Sequence, residues 1–116
     1  MLIYIYLIAT YDDSKILSGD YKYFPETKDI IGNIDIPPYV VSYDFDENFI
    51  IAKQAPTEIH NAIYRDKEYI YKDGKSVIYY WIIIHDLNLV LGPLNKNEYE
   101  FEKINYKVPK NLRFMY

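Results

Sequence analysis

Asp44-x-Asp46-x-Asn48 sets three oxygen-bearing side chains at alternate positions, the spacing with which a calcium-binding EF-hand loop begins. Such a loop also needs Gly at its sixth position and a bidentate Glu at its twelfth. Counted from Asp44, those positions hold Phe49 and Ala55, so the pattern fails. Asp44, Asp46, Glu47 and Asn48 read instead as the turn of a hairpin between strands at 39–45 and 48–54. Short side-chain oxygens favour turns because they bond the neighbouring backbone.

The other groups capable of chemistry are scattered. His85-Asp86 pairs an imidazole with a carboxylate, as a general base and its orienting group would require, but adjacent residues on a strand point to opposite faces. The hydroxymethyl groups are Ser14, Ser18, Ser42 and Ser76, and none lies in a Gly-x-Ser-x-Gly setting. His60 with Glu58 or with His85 has no recognised metal-ligand spacing. Phosphate cradles need glycine-rich loops, and the four glycines stand apart. The 17 acidic residues leave a glycosidase-type carboxylate pair open without pointing to one. Lys53-Gln54 puts a cation and an amide at the end of an apolar strand, where a solvated strand end is the simpler reading and a buried Lys53 would need Asp66 or Glu68 as partner. No catalytic, metal-binding or cofactor-binding residue is assigned, and no cofactor is expected.

The elements that would carry these groups follow from composition and pattern. The 116 residues suit a single domain over 1–116. With 15 Tyr beside 5 Phe and 1 Trp, the chain favours strands, where a ring covers a pleated surface and a hydroxyl reaches water. There is no cysteine, which excludes disulfides, thiol nucleophiles and zinc-thiolate sites. A net charge of −4 without a basic run longer than two residues argues against nucleic acid and for a basic protein partner.

The first strand is expected over residues 2–9, with the remnant of a trimmed secretion signal as the alternative. This apolar start lacks a basic leader and a cleavage site and is too short to span a bilayer, so no membrane span is expected. Residues 20–24 alternate like a half-buried strand, and 25–38, with three prolines, read as a surface excursion pinned by isoleucines. Residues 57–62 form a helical turn or a loop. A hairpin at Asp73-Gly74 joins 68–72 to the run SVIYYWIIIH, which is apolar on both faces and therefore central. Residues 89–91 form a strand that Gly92-Pro93 terminates. Asn95 and Glu98 then make a capping box, with Leu94 and Tyr99 as hydrophobic staple, so a helix is predicted over 95–108 with a strand as the alternative. The fold class is mainly β (α+β), an antiparallel sheet or small sandwich of 6–8 short strands with one C-terminal helix.

YLIAT near the start, FIIAKQ at 49–54, YWII at 80–83 and Gly92-Pro93-Leu94 give the chain a further likeness. In the order of these pieces it resembles an uncharacterised family of small bacterial proteins, a domain of unknown function, many of them made with a secretion or lipoprotein signal. The resemblance implies a compact β-rich domain and an extracytoplasmic site, and it brings no known activity. The chain itself carries no full signal and by that measure reads as cytoplasmic.

The function expected from these observations is non-enzymatic binding of a protein, in an immunity- or inhibitor-like role against a basic partner. Tyr21, Tyr23, Tyr69 and Tyr71, paired at alternating positions, are the candidate contact residues. The alternatives are a glycan-binding module that uses Tyr and Trp81 as stacking platforms and, last, a small hydrolase centred on His85.

Overall fold

The computed structural model describes residues 14–56 and 69–115. The strand expected at 2–9, the segment 57–62 with His60, and Asp66 and Glu68 lie outside them. In chain order the elements are β1 (Lys15–Ile16), β2 (Lys22–Phe24), β3 (Asp29–Ile31), β4 (Val40–Phe45), β5 (Phe49–Gln54), β6 (Tyr79–Ile84), β7 (Leu89–Leu94) and α1 (Lys96–Asn105). The first three strands form one antiparallel sheet in the order β1-β2-β3. The other four form a second, in the order β4-β5-β6-β7.

The larger sheet is built around β5 and β6, which pair along their whole length from Phe49↔Ile84 to Gln54↔Tyr79. Both are apolar on successive residues, and the reason is that both faces of this sheet are covered. On one side Ile50, Ala52, Trp81 and Ile83 join Leu17, Tyr21, Ile30, Ile36 and Val40 in a buried cluster, so the small sheet and its connection pack here. On the other side Ile51, Ile82 and Ile84 meet Tyr99 of α1 with Val108 and Leu112 of the C-terminal segment. The period-two pattern of each strand thus feeds two cores at once. Trp81 is fully buried in a central strand, as expected.

Several expectations need correction. The excursion at 25–38 holds a strand: β3 pairs with β2, Ile36 bridges Ile30, and the amide of Val40 donates to the carbonyl of Lys28 at 2.7 Å, which ties the small sheet to β4. Ile30 and Ile36 are the buried pins, whereas Ile34 is exposed. The Asp73-Gly74 turn exists, closed by Gly74 N–H to the carbonyl of Tyr71 at 3.0 Å, yet residues 69–71 form no strand and β6 begins only at Tyr79. By then β6 has β5 on one edge and β7 on the other, so no edge remains for a hairpin partner. Gly92-Pro93 does not end β7 but lies within it. Tyr80 faces Leu94 and Ile82 faces Leu91, so two residues of β7 oppose Trp81 in a bulge. An outer strand tolerates proline there because the missing N–H would point away from the sheet. Gly92 suits the close approach, since a Cβ at that position would lie 2.3 Å from Cε3 of Trp81.

α1 starts as the capping signals require. The Asn95 side chain accepts from the amide of Glu98 at 2.8 Å, and the Glu98 carboxylate accepts from the amide of Asn95 at 2.9 Å. The strand alternative for this segment is thereby excluded. Tyr99 is buried against the sheet, whereas Phe101 and Ile104 stand exposed on the outer face. Among the described residues no helix is long and apolar enough to cross a membrane.

Candidate functional site

The acidic stretch at 44–48 forms the β4–β5 turn. Oδ1 of Asp46 accepts from the amides of Asn48 at 2.9 Å and Phe49 at 2.8 Å, and Oδ1 of Asp44 accepts from the amide of Phe45 at 2.9 Å. These carboxylates hold backbone in the way that makes Asp a turn residue.

The four candidate tyrosines do not form a solvated face. Tyr21 is buried, and Tyr23 and Tyr69 pack half-buried against the same cluster. Tyr23 lies against Tyr43, with ring centroids 4.5 Å apart. Tyr69 meets Trp81 edge-on at 5.1 Å and 89°, and its hydroxyl donates to the carbonyl of Asp35. The Tyr71 ring lies 5.2 Å from Tyr79, and its hydroxyl accepts from Nε2 of Gln54 at 3.1 Å. The members of each pair pack toward the same side, and that side is turned inward. Burial, with the Asp35 carboxylate adding to it, pushes the Tyr69 hydroxyl up to about 12. Burial also raises Tyr21, and it raises Tyr71 against the lowering effect of the Gln54 hydrogen bond.

The centre of this arrangement is Gln54, which is fully buried. Its Nε2 donates to the carbonyl of Pro37 at 2.9 Å as well as to Tyr71, and its Oε1 accepts from Nε1 of Trp81 at 2.7 Å. One side chain thus fastens β5, β6, the loop before β4 and the segment at 69–71. The hydroxyl of Tyr79 holds the following turn, accepting from Asp73 N and donating to the Gly74 carbonyl, both at 2.8 Å. The sequence signal for Gln54 was an amide ending an apolar strand. Trp81, sealed inside, is not available to stack on a sugar.

Among the described residues, two surface regions gather charged side chains. At the end of β6, His85 begins a 3-10 turn through Leu87, and the loops 18–20, 46–48 and 85–88 converge there. The amide of His85 donates to the Asn48 carbonyl at 2.8 Å, Oγ of Ser18 donates to the Glu47 carbonyl at 2.6 Å, and a Cβ on Gly19 would meet the His85 ring at 2.2 Å. Asp20, Asp46, Glu47 and Asp86 all belong to these loops, and the three segments contain no Lys or Arg. His85 and Asp86 approach to 3.8 Å on the surface. Ser18, beside the glycine that packs on His85, is buried and donates its proton to the Glu47 carbonyl.

The second region lies under α1. Lys53, Lys96, Lys103 and Arg113 line one cavity with Tyr80, Tyr99 and Phe114. Lys53 is therefore half-buried at the mouth of a cavity rather than at a fully solvated strand end. Sequence reading missed this group because its four cations stand at positions 53, 96, 103 and 113 and form no run.

Comparison with known proteins places the chain in a family. The model described as "Protein of unknown function (DUF3997)" matches residues 6–116, and the chain belongs to that family. No curated protein and no solved structure matches it.

Proposed function

We propose that this member of the family is a non-enzymatic binding domain, immunity- or inhibitor-like, that receives a basic protein partner on its acidic end. One observation carries the reading: Asp20, Asp46, Glu47 and Asp86 converge on loops that hold no Lys or Arg. Leu87, 61% exposed, stands among them as an apolar contact with a charged surround. Complementary charge of this kind accelerates encounter, and an apolar contact that loses its water slows departure. The end is braced by the His85 amide on the Asn48 carbonyl and the Ser18 hydroxyl on the Glu47 carbonyl, so little ordering would oppose binding.

The test is capture of the partner by the full chain, followed by association kinetics. A basic partner should associate more slowly as salt rises and with the charge reversals Glu47→Lys and Asp86→Lys, whereas Leu87→Ala should act mainly on dissociation. An acidic partner, or an association rate indifferent to both reversals, would sink the reading.

A further inference from the structure

The cavity under α1 has a volume of about 260 Å³, and its walls come from β5, β6, α1 and the C-terminal segment. We propose that it is a binding site for a small anion in which a phosphate or carboxylate group is attached to a flat ring. The partner surface proposed above is distinct from it: Lys53 and Tyr80 lie at the ends of β5 and β6 opposite Asn48 and His85.

In a chain of net charge −4, Lys96, Lys103 and Arg113 meet around one small space together with Lys53. The carboxylate among the described lining residues is Glu100, and Lys103 engages it at 3.3 Å. Lys96 is the first residue of α1, where the positive end of the helix dipole disfavours a cation. Its placement there adds like charge to like charge, and a bound anion would relieve the repulsion. Arg113 adds a planar fork of donors suited to two oxygens of one anion.

The shape of the space suits a ring. Tyr80 and Tyr99 stack at 4.8 Å and 16°, with Phe114 at 6.0 and 5.8 Å from them, so the cations surround a floor of rings. Nζ of Lys103 lies 4.7 Å from the centroid of Tyr99 and is held over that floor. The walls are fixed before any ligand arrives. The capping box sets the start of α1, Oδ2 of Asp44 accepts from the amide of Arg113 at 3.0 Å, and Oγ of Ser42 accepts from the amide of Met115 at 3.3 Å. A space of this size lies just below the range of about 300–1,000 Å³ typical of drug-sized ligands, which suits one ring with its anionic group.

The test is calorimetric titration of the full chain at constant ionic strength with phenyl phosphate, benzoate, inorganic phosphate and phenol. Phenyl phosphate or benzoate should bind saturably, and whichever does so assigns the anion class. Either should bind about tenfold tighter than inorganic phosphate, because the ring adds contact area on the aromatic floor. Lys96→Gln and Arg113→Gln should each weaken that binding about tenfold, the worth of one charge-assisted hydrogen bond, while Lys22→Gln on β2 leaves it unchanged. Unchanged circular dichroism of the variants would show that folding is not the cause. Absence of binding by both ring anions up to about 10 mM, tenfold weaker than a millimolar site, would overturn the proposal. So would phenol binding as well as the anions, or variants that bind like the parent.

Discussion

The indole Nε1 of Trp81 donates to Oε1 of Gln54 at 2.7 Å, and neither residue has any solvent-exposed surface. The bond runs diagonally between β6 and β5, where Trp81 faces Ala52 and Gln54 faces Tyr79. A buried amide with all its polar atoms engaged fixes one arrangement of the elements around it, because any other would leave those atoms without partners.

Gln54→Met keeps the length of the side chain but orphans the indole N–H and the Pro37 carbonyl, at a cost of about 1–3 kcal/mol for each buried group left unsatisfied. Trp81→Ala should cost about 3–5 kcal/mol through the cavity it opens. Urea unfolding of Gln54→Met, Trp81→Phe and the double variant should show a double loss smaller than the sum of the single losses. Additive losses would mean that the two side chains do not support each other.

Gly92→Ala tests the bulge in β7. The new methyl group would lie 2.3 Å from the Trp81 ring, so strand or ring must move, at a cost of about 1–3 kcal/mol typical of overpacking. A clear fall in Tm is expected. A neutral substitution would show that the indole does not set the bulge.

The legible parts of the fold were those in which local pattern and tertiary demand agree. FIIAKQ and YYWIII are apolar on both faces because two cores claim them, and Asn95 with Glu98 marked a helix start that the structure uses. The rest failed for identifiable reasons. Strands of two or three residues such as β1 and β3 are too short to show a period and exist through their pairing, whereas the alternation at 20–24 did mark β2. Asp73-Gly74 promised a hairpin, but both edges of β6 were taken. The spacing of the tyrosines gave their shared faces correctly but did not say which way those faces turn. The cationic cavity depends on folding alone to bring Lys53, Lys96 and Arg113 together.

Calcium should leave Tm unchanged relative to a chelator. The carboxylates of Asp44 and Asp46 are held by the amides of Phe45, Asn48, Phe49 and Arg113, and a cation would have to displace those bonds. A rise in Tm at millimolar calcium would show binding to the folded form and overturn the turn reading.

Alkaline pH should destabilise the fold in a defined window. Burial raises Tyr69 to about 12 and also holds Tyr21, Tyr71 and Tyr99 above the ordinary tyrosine value. In the unfolded chain tyrosines ionise near ~10. From there up to about 12 the unfolded state has released protons that the folded state keeps. Stability is therefore full below pH ~10 and falls as pH rises through the folded values. Tyrosinate absorbance during an alkaline titration should show a class of side chains that ionises only together with unfolding, and Tyr69→Phe should reduce that class. Uniform titration near the ordinary value with the fold intact would contradict this.

The bulge at Gly92-Pro93 also leaves the larger sheet with an irregular rim. A sheet has two rims, and each is a template on which another chain can continue the ladder into a fibril. FIIAKQ and YYWIII, the segments best suited to such stacking, form the two interior strands. On one rim β7 offers an irregular edge with a proline that cannot donate, and on the other the Lys28 carbonyl already occupies the Val40 amide. The segments best suited to stacking are in this way kept off both rims of the larger sheet.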